Sequence, residues 1–113
     1  MHEMAIAQSL LEIIIQESRA HQVKRVFSVA LKLGELSAVE SESLRFCFEL
    51  IAEGTIADGA ALVIERVPVT CHCQDCSSEF SVEDLVFLCP SCGSRNVEVR
   101  SGKELSIESF EAE

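Results

Sequence analysis

The sequence predicts an α+β fold: a small sheet of about three strands packed with two helices, and a cysteine-rich lobe inserted into it. Two segments carry apolar residues at helical spacing, and several others alternate between apolar and polar residues. Four paired cysteines lie between two of the alternating segments. We therefore expect a main domain over residues 1–69 and 95–113, with an inserted lobe over residues 70–94.

The first predicted element is a helix from Glu3 to about His21. Its apolar residues recur every three or four positions and so share one face; they are Ile6, Ala7, Leu10, Leu11, Ile14 and Ile15. Glu3 lies in the first turn, where a carboxylate complements the helix dipole. Because only two residues precede Glu3, we expect the α-amino group to lie beside a rigid element.

The next segments predict a strand and a second helix. Residues 24–36 alternate, and the side chains expected on the core face of this strand are Phe27, Val29, Leu31 and Leu33. Ser37 and Glu40 have the spacing of a capping box, which predicts that a helix follows and continues to about Glu53. Its expected buried stripe consists of Leu44, Cys47, Phe48 and Ile51.

The remaining strands are predicted on either side of the cysteine segment. Residues 60–69 predict a second strand, which stops near a proline. After the cysteines, apolar residues alternate with polar or charged ones again over residues 97–107. We expect the chain to return to the first sheet there and complete it, and residues 111–113 to form a frayed tail.

The charge balance is strongly acidic, with nine Lys and Arg, nineteen Asp and Glu, and a formal net charge of −10. Such a surface repels phosphate groups, so nucleic acid is not an expected partner. The sequence shows neither a basic leader nor an apolar run of membrane-spanning length, which predicts a cytoplasmic protein that does not enter membranes. Acidic repulsion opposes self-association and free sheet edges favour it, so we expect a monomer or a weak homodimer.

The most specific pattern is Cys73-x2-Cys76-x12-Cys89-x2-Cys92. Two residues between paired cysteines let a tight turn direct both sulfurs to one point. Two such turns supply four soft ligands in a tetrahedron, which suits Zn²⁺. The pattern therefore predicts a structural, zinc-ribbon-like site, and four protein ligands leave no position for a catalytic water.

Other uses of the cysteines fit the sequence less well. Disulfides are rare in cytosolic proteins, and a thioredoxin-like pair would not explain the second CxxC. Two symmetric CxxC turns hold zinc more often than an iron–sulfur cluster. A zinc ribbon that binds nucleic acid is an alternative. Such a ribbon normally carries Lys and Arg, whereas the charged residues within residues 70–94 are all Asp or Glu. Cys71 and His72 directly precede the first ligand, and Cys71 is either an exchangeable fifth thiolate or only a neighbour that the turn exposes.

A second metal site is predicted at the start of the chain. Met1 should be retained, because aminopeptidase trimming generally needs a small second residue. The amine, the backbone nitrogens of His2 and Glu3 and the His2 imidazole then converge within three residues. Nitrogen-rich, planar coordination suits Ni²⁺ or Cu²⁺ more than Zn²⁺, and protons compete with the metal as pH falls. The simpler interpretation is that His2 is an idle surface residue.

Four features occur in order along the chain: a Met-His-Glu start that opens a helix, the segment VFSVALKLGEL (residues 26–36), the segment SLRFCFEL (residues 43–50) and the four-cysteine pattern. In this combination the sequence resembles the HypA/HybF family of nickel-delivery proteins for hydrogenase maturation, over nearly its whole length. The resemblance implies an α+β nickel-binding domain with an inserted zinc lobe. It assigns the Ni²⁺ cargo to His2 with main-chain nitrogens of Met1 and Glu3, and structural Zn²⁺ to Cys73, Cys76, Cys89 and Cys92.

The resemblance also implies partners, namely a HypB-type GTPase and the hydrogenase large-subunit precursor, and urease is a client of some relatives. The expected function is that of a metallochaperone, which binds nickel at its N-terminus and releases it to the [NiFe] centre of the client. The sequence contains no Ser-His-Asp set, phosphate-binding loop or paired catalytic carboxylates, so we expect no enzymatic activity. A thiol oxidoreductase is a further alternative, which a disulfide-reduction assay would test.

Overall fold

The computed structural model describes residues 2–113. In chain order the elements are α1 (Glu3–Ala20), β1 (Val26–Gly34), a 3-10 turn (Glu35–Ser37), α2 (Ser41–Ala52), β2 (Ala61–Val67), β3 (Thr70–Cys73), β4 (Glu79–Ser81), β5 (Val97–Ser101) and β6 (Leu105–Ala112). The strands form two three-stranded sheets, with orders β2-β1-β6 and β4-β3-β5. The predicted α+β class, with two helices and a three-stranded sheet, is confirmed, and the lobe adds a sheet of its own.

The helices pack through the faces that their apolar spacing predicts. In α1 the buried residues are Ala7, Leu10, Leu11, Ile14 and Ser18, which follow one another at intervals of one, three or four positions. In α2 they are Leu44, Phe48 and Ala52, one turn apart, while Cys47 is half-buried. The two helices contact one another within the first compact unit. None of the helices in residues 2–113 is long and apolar enough to cross a membrane.

The predicted capping box at Ser37 is wrong, because α2 begins four residues later. Between Ser37 and the helix the chain passes through Ala38, whose φ of 60° is left-handed, and the Ser37 hydroxyl donates to the carbonyl of Gly34 at 2.7 Å. Glu40 is the N-cap, and its carboxylate accepts the backbone N–H groups of Glu42 and Ser43.

Two predictions about the first sheet also need correction. Phe27 does not face the core: its side chain is 42% exposed and the guanidinium of Arg25 lies 5.2 Å from its ring centroid. Val26 is buried instead, because the alternation of β1 is interrupted between Val26 and Val29. The C-terminus is not a frayed tail, since the carbonyl of Glu113 accepts the N–H groups of Lys24 and Arg25 at 2.7 and 3.3 Å.

The chain forms two compact units. The first comprises the chain up to Lys32, Ala38–Glu65 and Ser106–Glu113, and the second comprises Leu33–Ser37 and Arg66–Leu105. The second unit is wider than the 70–94 insertion expected from the sequence, because β5 pairs with β3 in an antiparallel ladder. The chain returns to the first sheet as expected, but it does so at β6 rather than at Val97.

Gly34 and Gly102 bring two backbone segments of the second unit unusually close together. The N–H of Gly34 donates to the carbonyl of Glu104, and the N–H of Leu36 donates to that of Gly102, each at 2.7 Å. A Cβ atom added at Gly34 would lie 2.1 Å from the carbonyl oxygen of Gly102. Because the carbonyl of Gly102 is hydrogen-bonded backbone, it cannot rotate away, and glycine is required at Gly34.

We predict that Gly34→Ala lowers the free energy of unfolding by about 3 kcal/mol, because a methyl group must displace hydrogen-bonded backbone. The control is Gly54→Ala, at a residue with a φ of 77° and no atom within 4 Å of the added Cβ. That variant should lose only about 1 kcal/mol, from left-handed strain alone. Urea denaturation measures both values, and equal losses would show that the close approach carries no special penalty.

Candidate metal centre

The four cysteines of the CxxC pairs converge in the second unit. Their Sγ atoms all lie within 4.8 Å of one another, and the group consists of Cys73, Cys76, Cys89 and Cys92. The Sγ atoms of Cys73 and Cys92 are 3.6 Å apart, and those of Cys76 and Cys89 are 3.5 Å apart. These distances are far longer than a disulfide bond of about 2.0 Å. The structure therefore brings together the whole set of ligands that the spacing predicts.

Two turns with the same hydrogen-bond pattern position the sulfurs. In the first, the N–H of Ser77 donates to the carbonyl of Cys73, and the N–H of Cys73 donates to that of Ser78. In the second, Gly93 and Ser94 take the corresponding places relative to Cys89. Ser77 and Gly93, the fourth residue after each cysteine, both have left-handed φ values, of 64° and 74°.

Asp75 ties the first turn to the second. Its carboxylate accepts hydrogen bonds from the hydroxyl of Ser94 and, at 3.4 Å, from the side-chain amide of Asn96. The N–H of Gln74 donates to the carbonyl of Asn96 at 2.9 Å. The sequence showed Asp75 only as one acidic residue among several. Its role as a link depends on a partner nineteen residues away, and no local pattern indicates it.

The size of the sulfur cluster fits a tetrahedral metal site. Metal–sulfur bonds of about 2.3 Å place the four sulfurs of a tetrahedron about 3.8 Å apart, and the shorter observed distances lie close to this value. Cys73 and Cys89 are 0% and 2% exposed, whereas Cys76 and Cys92 are exposed. Four soft thiolates suit Zn²⁺ and fill its usual coordination, so the donor set is that of a closed, structural site.

The surroundings of the sulfurs favour ionisation of one cysteine thiol and oppose ionisation of the next. Hydrogen bonds from the hydroxyl and backbone N–H of Ser78, and from the thiol of Cys89, lower the pKa of Cys76 to about 6. At Cys92 the backbone N–H of Ser94 lowers the pKa, but the neighbouring thiols, with Cys73 first among them, raise it to about 12 overall. Four thiolates at this separation repel one another, and a bound cation removes that repulsion.

Cys71 and His72 lie outside the sulfur cluster. Cys71 is 0% exposed and packs with Val69 and Val82, and burial raises the pKa of its thiol. Cys71 is thus a neighbour of the sulfur cluster, but the expectation that the turn exposes it is wrong, because its side chain packs into this small core. The Nδ1 atom of His72 lies 2.9 Å from a carboxylate oxygen of Glu79, on the adjacent strand β4.

At the start of the chain, the structure places His2 as the exposed N-cap of α1. Its carbonyl accepts the N–H of Ile6 at 3.2 Å. Glu3 is the first helical residue, and its carboxylate accepts the N–H of Glu40 at 3.1 Å, a hydrogen bond that lowers the pKa of Glu3. Met1 lies outside the described residues, and the assignment of nickel to Met1, His2 and Glu3 stays a prediction.

Glu40, which the sequence singled out only as the acidic partner of a capping box at Ser37, is itself the N-cap of α2. Its carboxylate accepts the N–H of Ser43 at 2.6 Å and that of Glu42 at 3.2 Å, and the bond from Ser43 lowers the pKa of Glu40. Because its own N–H donates to Glu3, Glu40 links the N-terminus of α2 to the N-terminus of α1. The sequence contains a signal for this role, because Glu40 directly precedes α2 and carboxylates cap helices at that position.

Residues 1–112 match a family model described as "HypA: Hydrogenase/urease nickel incorporation, metallochaperone, hypA". The chain belongs to the HypA family. It is 42% identical to the hydrogenase maturation factor HypA of Geotalea uraniireducens, and the match covers all of both chains. It is 41% identical to the protein of the same name from Desulfitobacterium hafniense, with 100% of this chain and 99% of the relative covered.

Two solved structures are similar over nearly the whole chain, each at 29% identity. One, described as the solution structure of HypA protein, has a TM-score of 0.76 and covers 99% of this chain and 96% of its own. The other, the solution structure of the Ni metallochaperone HypA from Helicobacter pylori, has a TM-score of 0.70, with coverages of 99% and 97%. As a HypA-family protein, the chain is a nickel metallochaperone of hydrogenase maturation and not a catalyst.

We predict that Cys73→Ser purifies with less than about one-tenth of the metal of the parent protein, because the loss of one thiolate opens a closed tetrahedral site. Cys71→Ala is the matched control in the same strand, since Cys71 is buried yet outside the sulfur cluster. It should keep one metal ion per chain, as measured by mass spectrometry of the purified protein. Equal metal loss in both variants would contradict the four-cysteine assignment.

Proposed function

We propose that this HypA-family protein binds Ni²⁺ at Met1, His2 and Glu3 and delivers it to the hydrogenase large-subunit precursor as the [NiFe] centre matures. In this proposal the four cysteines hold Zn²⁺ as a structural ion. The observation that carries the nickel assignment is the exposed His2 at the N-terminus of α1, next to a first turn that is fixed to α2.

The backbone at this helix end has nitrogen atoms to offer. The first N–H groups of a helix have no carbonyl partner within it, so the nitrogens of His2 and Glu3 are not required by the hydrogen-bond ladder of α1. Together with the amine of Met1 and the imidazole of His2, they form a set of nitrogen ligands within three residues. Such a set suits Ni²⁺, as the sulfur set of the lobe suits Zn²⁺.

The hydrogen bond from Glu40 to Glu3 gives the proposed site a fixed base. Glu3 can supply its backbone nitrogen to the metal while its carboxylate stays bound to the N–H of Glu40, 3.1 Å away. Since α1 and α2 pack together, the position of Glu3 is set by the core of the first unit. We therefore assign Glu3 two tasks, a main-chain ligand and a side-chain anchor.

The delivery step requires an accessible site with few protein ligands, so that a deeper site on the client can take the ion. His2 is exposed, whereas two of the four cysteines are buried, so nickel rather than the lobe metal is the ion suited to transfer. A HypB-type GTPase and the large-subunit precursor are the proposed partners, and the cytoplasm is the proposed compartment. The acidic charge of −10 disfavours the alternative of a nucleic-acid-binding zinc ribbon.

We predict that His2→Ala abolishes nickel binding and leaves the fold and the zinc content unchanged, because the imidazole belongs to the nickel set alone. His21→Ala is the matched control, since His21 is an exposed histidine at the other end of the same helix. Equilibrium titration with Ni²⁺ should show parental affinity for this control. The assignment fails if His2→Ala binds nickel as tightly as the parent, or if a short N-terminal extension has no effect.

A second pair of variants separates the two tasks of Glu3. Glu3→Pro should abolish nickel binding, because proline removes the backbone N–H but is well tolerated at the first position of a helix. Glu3→Ala keeps that nitrogen and loses the anchor to Glu40, so we expect affinity to fall by about tenfold, as for loss of an outer-shell partner. Equilibrium titration with Ni²⁺ measures the affinity of both variants, and circular dichroism checks that their helix content is unchanged. If Glu3→Pro bound nickel with the affinity of the parent protein, the backbone nitrogen of Glu3 would be excluded as a ligand.

A further inference from the structure

One short segment of the second unit exposes a concentration of large apolar side chains. Leu85, Val86 and Leu88 are 67%, 55% and 41% exposed, while Phe87 between them packs against the small core of this unit. We call residues 85–88 the apolar loop. Leu85 has the largest exposed fraction among the large apolar residues that the structure describes.

The turn before the loop holds these side chains outward. Asp84 and Leu85 are consecutive non-glycine residues with left-handed φ values, of 53° and 59°, and the N–H of Val86 donates to the carbonyl of Glu83 at 3.1 Å. With Phe87 anchored in the core, the loop is fixed on both sides of Val86. The exposed side chains are thus presented by a defined backbone.

An acidic cleft adjoins the apolar loop. It has a volume of about 500 Å³ and is lined by Glu35, Val69, Val82, Glu83, Asp84 and Leu85. Leu85 therefore belongs both to the loop and to the cleft. Three of the six lining residues are carboxylates, so the cleft joins an apolar wall to negative charge, in a volume typical of ligand-binding sites.

The charge of the surrounding sequence decides which occupant fits. Residues 67–94 contain no Lys or Arg, and their charged residues are Asp75, Glu79, Glu83 and Asp84. A second copy of this chain would bring the same acidic surface and a net charge of −10. An anionic membrane or a nucleic acid would be repelled in the same way. A cationic segment with apolar residues would satisfy both the carboxylates and the loop.

We propose that the apolar loop and the acidic cleft form a docking surface for a partner-protein segment that carries Lys or Arg beside large apolar residues. The apolar side chains of the partner cover Leu85, Val86 and Leu88, and its cations meet Glu35, Glu83 and Asp84. Apolar burial supplies affinity, and charge supplies orientation and the rejection of acidic competitors. This surface does not depend on where nickel binds, so it stands or falls independently of the assignment to His2.

The experiment uses the zinc-loaded full-length protein and three short fluorescent helical peptides. One carries Lys on one face and Leu on the other, the second replaces Lys with Glu, and the third replaces Leu with Ser. Fluorescence anisotropy should detect binding of the Lys–Leu peptide only. Hydrogen exchange should show that this peptide protects amides of residues 82–88. Equal binding of the Lys–Ser peptide, or protection elsewhere in the chain, would overturn the proposal.

Two double variants separate local docking from general attraction. Leu85→Ser with Val86→Ser, and Glu83→Lys with Asp84→Lys, should each weaken the Lys–Leu peptide by about tenfold or more. Glu12→Lys with Glu49→Lys changes the net charge by the same amount as the second pair but on exposed residues of α1 and α2, and it should have little effect. If this control weakened binding of the Lys–Leu peptide as strongly as Glu83→Lys with Asp84→Lys does, long-range attraction alone would explain binding.

Two other occupants, a second copy of this chain and a lipid surface, would give different results with the same variants. If Leu85→Ser with Val86→Ser converts a dimer to a monomer in sedimentation, the loop is covered by a second copy of this chain. If the parent protein floats with phosphatidylcholine vesicles and this variant does not, the loop meets a lipid surface. Either result overturns the proposal of a cationic protein partner.

Discussion

The second unit is organised around four cysteine sulfurs that all lie within 4.8 Å of one another. Its fully buried apolar cluster is small, with Val69, Cys71 and Val82 at the centre, and its strands have only three to five residues. So little apolar burial cannot by itself offset the entropy of ordering the 45 residues of this unit. A tetrathiolate metal site contributes folding free energy directly. The two turns, the link through Asp75 and the pairing of β3 with β5 all converge on it.

The first unit is organised on a different principle. Its two helices bury aliphatic side chains and Phe48, and they need no metal to do so. The end of this unit where nickel binding is proposed is held by hydrogen bonds between charged side chains and helix N-termini. They run from Glu40 to Glu3, and from Glu42 and Ser43 to Glu40. These bonds place carboxylates where the helix dipoles are positive. They fix the base of the proposed nickel site and leave the imidazole of His2 exposed.

The local patterns of the sequence predicted much of this structure. Helical spacing located the buried faces of α1 and α2, and the CxxC spacing identified the four cysteines whose sulfurs converge. Several of the failures concern long-range pairing. Nothing local indicates that β5 joins β3 rather than the first sheet, that Glu113 bonds to Lys24 and Arg25, or that Asp75 bonds to Ser94. The cap at Glu40 was missed because Ser37 and Glu40 match a capping box that the left-handed Ala38 interrupts.

The contrast between the two donor sets supports the proposal that one metal is retained and another is passed on. A tetrathiolate site with two buried ligands, cross-linked turns and no free coordination position exchanges its ion slowly, because several protein contacts must break together. The proposed nickel site at the start of α1 would take its ligands from three consecutive residues, with the hydrogen bond from Glu40 to Glu3 behind them. Its ion can be passed on without disturbing the helix core. In the proposed function the lobe presents a surface with its own charge and apolar loop, and cargo transfer takes place at the nitrogen ligands of the N-terminus.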